Sequence, residues 1–232
     1  MGFAMTRKVP SVPVTPAKKP TARARQAAQT RDRILEAAVQ CFSEAAYEEV
    51  AVSDIAKAAG VAHGLLFHYF GSKRGMYLEA MRVAAQQLEA SFVFEPDLEP
   101  LEQARRAVAS HLRFLAAHRG MALRLILGGR GADPAAWEVF EAARWRAVEA
   151  TAALFGVDSQ RPATRMACRA AVGAMDEAAV FWLHNDQLFA VDDMAEWMVA
   201  MVASVVRAAI RLDPGMGVED ALSVIDGQLP PG

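Results

Sequence analysis

Apolar positions recur every three to four residues along most of the chain, with no useful length of alternating strand pattern, so the pattern predicts an all-α protein. Behind the polar start at Thr30, the set Ile34, Leu35, Ala38, Cys41 and Phe42 predicts an amphipathic helix over roughly 26–44. Val52, Ile55, Ala56 and Ala59 predict a short second helix closed by Gly60, a residue suited to the left-handed conformation that ends helices. Leu66, Tyr69 and Phe70 mark a third helix ending at Gly71, and Ser72 is an N-cap for a fourth running to about 92. Pro96 and Pro100 bracket a break, and the next helix runs to about 118. Gly120 is expected to interrupt it before a short apolar helix at 121–127, followed by a flexible link at Gly128, Gly129 and Gly131. Asp133 followed by Pro134 signals the start of a helix to 154 or 155. Long apolar helices at 162–184 and 192–211 and a short one at 218–226 complete the pattern.

Three helices in about 45 residues, the second and third joined by a turn of about three around Gly60 and Val61, have the spacing of a helix-turn-helix unit. An antiparallel hairpin inside a larger bundle has the same spacing. At 100° per residue Ala62, Leu66 and Phe70 share the inner face of the third helix, with His63 and Tyr69 on its flanks. Gly64, Leu65, Phe67 and His68 therefore point outward. An outward Leu and Phe can meet thymine methyl groups in a major groove, with His supplying hydrogen bonds and Gly64 permitting close approach. Otherwise they are buried against another part of the chain. Lys73 and Arg74 sit in the first turn of the fourth helix, where their charge opposes the macrodipole; an external phosphate would resolve that conflict.

Composition sharpens this picture. The chain has 232 residues, 53% of them hydrophobic, enough to bury a sizeable core. Residues 1–78 hold 11 basic and 6 acidic side chains and residues 79–232 hold 14 and 21, so the front is +5 and the remainder −7. That asymmetry suits an anionic partner for the front. Residues 1–25, with four prolines and no acid, are expected to form a disordered basic arm. Cys41 and Cys168 are too few for a disulfide framework. No apolar run reaches the about 18 residues needed to span a bilayer, and the N-terminus lacks an apolar leader core, so a cytoplasmic protein with no membrane partner is expected.

The stretch Thr30-Arg31-Asp32-Arg33-Ile34-Leu35 through Ala37-Ala38, Phe42 and Tyr47, then Asp54 through Val61, then Gly64, Leu66, His68 and Phe70-Gly71-Ser72-Lys73, resembles the N-terminal domain of TetR/AcrR-type transcriptional regulators. The resemblance implies a helix-turn-helix DNA-binding domain at 26–74, followed by a helical effector-binding and dimerisation domain at 75–232. It implies a ligand-responsive regulator, more specifically a repressor, that binds an inverted-repeat DNA operator as a homodimer and is released by a small molecule. The candidate DNA contacts are Thr30, Ser53, His63, Gly64, Leu65, Phe67, His68, Tyr69 and Lys73. The chain departs from the family where Leu65 replaces a frequent Ser or Thr and Phe67 a Tyr. Phosphate contacts are therefore expected to shift to Tyr69, Lys73, Thr30 and the arm. Side-chain caps are also missing before the second and third helices, where Val50-Ala51-Val52 and Ala62 stand, each loss costing about 1 kcal/mol.

The resemblance further implies that helices 162–184 and 192–211 pair with their copies. The residues agree: Ala167, Ala170, Ala171, Gly173, Ala174 and Ala178 permit close approach, and Met194, Trp197, Met198, Met201 and Val205 widen the apolar surface of the second helix. A monomer burying both faces internally is the alternative. For an effector, taken to be largely apolar, the candidates are His111, Phe114, Met121, Arg124, Trp137, Phe140, Met175 and Trp182, beside Phe92, Phe94 and His118, with Arg124 or His111 orienting a polar group.

Catalytic signals are poor, and no enzyme activity, cofactor or metal site is expected. His111 and His118 lie two turns apart, about 10.5 Å, too far to chelate one ion. His63 and His68 diverge by 140°, and Gly129-x-Gly131 follows a helix rather than a strand. A helical adaptor whose helix-turn-helix binds protein is the alternative reading, discriminated by sequence-specific retention of DNA.

Overall fold

The computed structural model describes residues 21–128 and 133–227, and the described residues form ten α-helices and no strand. They are α1 (Ala22–Glu44), α2 (Val52–Ala59), α3 (His63–Phe70), α4 (Lys73–Ala90), α5 (Pro100–Ala117), α6 (Arg119–Gly128), α7 (Pro134–Leu154), α8 (Pro162–His184), α9 (Val191–Ala209) and α10 (Glu219–Asp226). The all-α reading holds.

Local chemistry explains the boundaries. Gly60 ends α2 at φ 64°, with its N–H on the Lys57 carbonyl and the Val61 N–H on the Ala56 carbonyl, so the turn closes through paired bonds that need a left-handed residue. Gly71 ends α3 at φ 73°, and Ser72 Oγ then accepts the Gly75 N–H at 3.0 Å to start α4. Asp133 Oδ1 accepts the Ala135 N–H at 2.9 Å ahead of Pro134, as that dipeptide predicts. Ala51 and Ala62 cap α2 and α3 with no side-chain hydrogen bond, so the missing caps are real.

Some boundaries differ from expectation. Helix α1 begins at Ala22, not near 26, because Thr21 Oγ1 accepts the Ala24 N–H at 3.2 Å; residues 22–25, assigned to the arm, are helical. Residues 1–20 of that arm, and Gly129 and Gly131 of the expected link, lie outside the described residues. Gly120 does not interrupt a helix: the break falls at His118, and Gly120 sits in the first turn of α6, where a Cβ would stand 2.9 Å from the Ser43 carbonyl. The glycine serves packing of α6 on α1, which local pattern does not reveal. The fourth helix also ends at Ala90 rather than 92.

Helices α1 to α4 enclose Ile34, Ala38, Phe42, Ile55, Leu66, Met76 and Ala80, all essentially buried. Helix α4 packs on both α1 and α7, so the expected domain boundary at 74/75 lies inside its first turn and one core runs across it. Helix α5 packs on α9, α8 on α9, and α10 seals a second core of Leu101, Ala167, Val199, Ala203, Val218 and Leu222. Arg161 and Asp213 tie the start of α8 to the end of α9 at 2.7 to 3.0 Å.

Candidate nucleic-acid interface and helical-domain cavity

Helix α3 is anchored by Leu66, 1% exposed, with Tyr69 and Phe70 half-buried against the core of the head. Its opposite side carries His63, Gly64, Leu65, Phe67 and His68, all exposed, and Leu65 and Phe67 keep 36% and 43% of their surface open. The alternative in which they are covered by the same chain is therefore excluded among the described residues. His63 and Phe67 rings lie 5.3 Å apart, forming an aromatic edge one turn long. A Cβ at Gly64 would meet nothing within 4 Å, leaving room for a partner surface to approach the backbone. Ala62, expected on the inner face, is exposed because it occupies the extended cap position before the first turn.

Flanking groups frame this face. Ser53 is exposed near the start of α2, and Thr30 Oγ1 donates to the Gln26 carbonyl at 3.0 Å. Lys73 Nζ lies 4.6 Å from the centre of the Tyr47 ring and donates to the Glu48 carbonyl at 3.4 Å. Arg74 meets Asp133, its Nε 2.7 Å from Oδ2 and its Nη2 3.1 Å from Oδ1. The charge conflict foreseen for Arg74 is thus met within the chain rather than by an external anion. That pair fastens the first turn of α4 to the cap of α7, and the guanidinium holds the Asp133 carboxyl below its ordinary range.

Behind the head, α4 to α10 line a cavity of 220 Å³. Of the candidate effector residues, His111, Phe140 and Met175 line it, as do Phe92 and Phe94. The others are placed elsewhere. Phe114 stacks on His118 at 4.2 Å, Met121 is in the core, and Trp182 is 1% exposed with its Nε1 donating to the Phe189 carbonyl at 2.8 Å. Arg124 reaches back to the head and donates to the Glu44 carbonyl at 3.1 Å, capping α1. Trp137 faces an adjoining cleft with Trp145, Arg169 and Glu177.

The polar groups of the cavity are mostly ones that sequence reasoning missed. Arg144 donates to Glu141 at 3.0 Å and to Asp176, and Glu89 is held by Arg146 at 2.6 and 2.8 Å. Burial pushes the Asp176 carboxyl up to about 6 although Arg144 opposes the shift. Thr164 is fully buried on the wall, and its hydroxyl has no hydrogen-bond partner among the described residues. A signal for Arg144 existed: Phe140, Arg144, Ala147, Val148 and Thr151 fall on one face of α7, so a charge interrupts an otherwise apolar stripe. Ser91 Oγ donates to the Leu88 carbonyl at 2.5 Å, so at 2.7 Å it accepts from His111 Nδ1–H, leaving Nε2 the acceptor of a neutral ring. Burial, reinforced by Arg144, pushes His111 down to about 3.

Fold and site define an all-helical protein with an N-terminal helix-turn-helix head and a helical domain enclosing an apolar cavity. Residues 34–80 match the family model described as bacterial regulatory proteins, tetR family. The transcriptional repressor AcnR of Corynebacterium glutamicum is 37% identical over 59 residues, which are 25% of this chain and 31% of AcnR. The matching segment thus spans about a third of that relative's length. A tetR-family transcriptional regulator from Streptomyces coelicolor superposes with a TM-score of 0.75 at 20% identity, over 88% of this chain and 90% of its own. FadR from Bacillus subtilis, solved with stearoyl-CoA, gives 0.58 at 21% identity over 74% and 96%. Residues 34–80 are thus similar to the DNA-binding segment of tetR-family regulators, and the helical fold over most of the chain is the one these structures share.

Among the described residues no helix is long and apolar enough to cross a membrane.

Proposed function

We propose that this protein is a ligand-responsive DNA-binding transcriptional repressor that holds an inverted-repeat operator as a homodimer and is released by a small, largely apolar effector. The observation that carries the reading is the outward face of α3: Leu65, Phe67 and two histidines stand exposed around an open glycine, on a helix anchored by Leu66. Such a face suits base edges and methyl groups in a major groove, while Lys73, Thr30 and Tyr69 flank it toward the phosphates. Selection of random duplex DNA at near-physiological salt tests it. Enrichment of an inverted repeat with half-sites about 34–36 Å apart or somewhat wider is the expected result; no enrichment overturns the reading. Lys73→Ala will weaken binding to every sequence alike and lower the slope of log affinity against log salt by about 1. The slope is read by titration at several salt concentrations.

The dimer rests on α8 and α9. Met166, Ala170, Gly173, Ala174 and Phe181 on α8 and Trp197 on α9 are exposed, Phe181 and Trp197 at 57% and 52%, an apolar surface interleaved with small residues. Trp197→Glu will shift sedimentation at micromolar concentration from dimer to monomer, since loss of a central aromatic weakens association at least about 30-fold.

Helix α4 supports coupling of cavity to head. Its first turn is pinned by Arg74 to Asp133, and its last turns place Leu88 and Glu89 on the cavity wall. An effector that favours the non-binding arrangement by about 2.7 kcal/mol lowers operator affinity about 100-fold.

A further inference from the structure

The cavity carries enough chemistry to name the class of molecule it takes, an inference that rests on the reading of this cavity as the effector site. Its wall is apolar over almost its whole area, supplied by residues such as Leu112, Phe140, Val148, Val202 and Leu222. Three charged side chains reach it, and each is already matched: Glu89 by Arg146, and Arg144 and Asp176 by one another, with Glu141 also on Arg144. A carboxylate or phosphate entering here would find no free cation among the described residues and would have to displace Asp176 from Arg144. An ammonium would have to displace Arg144 from its acids. Each exchange strips water from a charge without adding a new partner.

Among the fully buried side-chain nitrogens and oxygens of the wall, one has no partner. Thr164, in the first turn of α8, is 0% exposed and lines the cavity, yet its Oγ1 has no hydrogen-bond partner among the described residues. A buried hydroxyl without a partner forfeits its hydration with nothing in return. It offers both a donor and an acceptor. Asp176 and Thr164 lie twelve residues apart on α8, so the cavity extends about 18 Å along that helix. If a 150 Å³ apolar cavity holds benzene, 220 Å³ holds about nine non-hydrogen atoms. A space of that volume spread along about 18 Å of helix favours a narrow occupant.

We propose that the cavity takes an uncharged, unbranched, largely apolar molecule whose single hydroxyl or carbonyl group bonds to the Thr164 hydroxyl, its chain running along α8 toward the Arg144–Asp176 pair. The volume fits a chain of about eight carbons with one oxygen.

The test uses full-length protein and three probes of one chain length: 1-octanol, octanoate and octylammonium, titrated calorimetrically at neutral pH below their micelle concentrations. Octanol is expected to bind at least tenfold more tightly than either ion. Thr164→Val, which keeps the shape and removes the hydroxyl, will lower octanol affinity about three- to tenfold, while Thr164→Ser retains it. The ligand-free Val variant will melt no lower than the parent, because it loses an unsatisfied buried group, and that separates lost binding from lost folding. Tighter binding of octanoate or octylammonium, no binding of octanol, or equal octanol affinity in the Val variant overturns the proposal. Duplex selection is run in parallel: if it fails while octanol binds through Thr164, the regulator reading falls and the ligand class stands. If DNA is selected but the Val variant binds octanol unchanged, the ligand class alone falls.

Discussion

Gly75→Ala will abolish tight DNA binding while leaving the helical domain folded. A Cβ at this position would stand 2.3 Å from the Phe70 carbonyl oxygen and 3.4 Å from Ser72 Oγ. The obstructing atom is backbone, so the only relief is to move the end of α3 away from the start of α4. Alanine gains about 1 kcal/mol of helix propensity over glycine, against a strain of about 1–3 kcal/mol for forcing atoms into a packed junction. The net effect is a displaced α3, and because Leu65, Phe67 and His68 all ride on that helix, the whole reading face moves with it. Affinity for selected duplex DNA should fall more than tenfold. Circular dichroism and calorimetric titration with a cavity ligand will show the rest of the protein intact. Parental affinity in the Ala variant would mean that the junction yields without moving the reading face.

The second large effect is the way two cavity groups oppose each other in acid. The unfolded histidine has a pKa near 6.5, whereas His111 in the fold is held down to about 3. Between those values the unfolded chain binds a proton that the native state refuses, so stability falls as pH drops, by about 1.4 kcal/mol per unit and on the order of 5 kcal/mol in all. Asp176 works in the other direction. Its carboxyl is raised from 3.8 to about 6, so in that window the native state holds a proton that the unfolded chain lacks, and stability rises as pH drops, by about 3 kcal/mol in total. From pH 6 down to about 4 the two slopes cancel; below that the histidine prevails. His111→Phe, which keeps a ring to stack on Phe92, removes one slope. Relative to the parent, the variant will gain stability by about 1.4 kcal/mol for each pH unit below 6.5. Urea denaturation at pH 4, 5, 6 and 7 measures this, and a difference that does not change with pH would show that His111 titrates in the fold as it does in the unfolded chain.

The two variants draw on different kinds of information. The outward face of α3 was legible because a helix turns 100° per residue whatever surrounds it, so fixing Leu66 inward sends Leu65, Phe67 and His68 outward. The turns at Gly60 and Gly71 and the starts at Ser72 and Asp133 were legible for a similar reason: each is satisfied by atoms within five residues along the chain. Gly120 was misread as a break because its role lies across space, against a carbonyl 77 positions earlier in the sequence at Ser43. Arg74 was given an external anion because its partner, Asp133, lies 59 residues away.

The cavity shows the same division more sharply. His111, Phe140 and Met175 reach it, but Phe114, Met121 and Trp182 have the same composition and spacing and belong to the core. Periodicity tells which side of a helix is apolar and not whether that side meets another helix or an opening between helices. Arg124 fits the sequence criterion for orienting a ligand and instead caps α1. By itself, then, the sequence determined the helices, their caps, the helix-turn-helix spacing and the composition of the outward face of α3, because those depend on short-range geometry and backbone hydrogen bonding. Only the tertiary structure decided which apolar residues enclose space, that Arg144 and Asp176 neutralise each other at its edge, and that Thr164 is left there without a partner. Those outcomes depend on how seven helices fail to fill the volume between them, and packing over that range leaves no periodic mark on the chain.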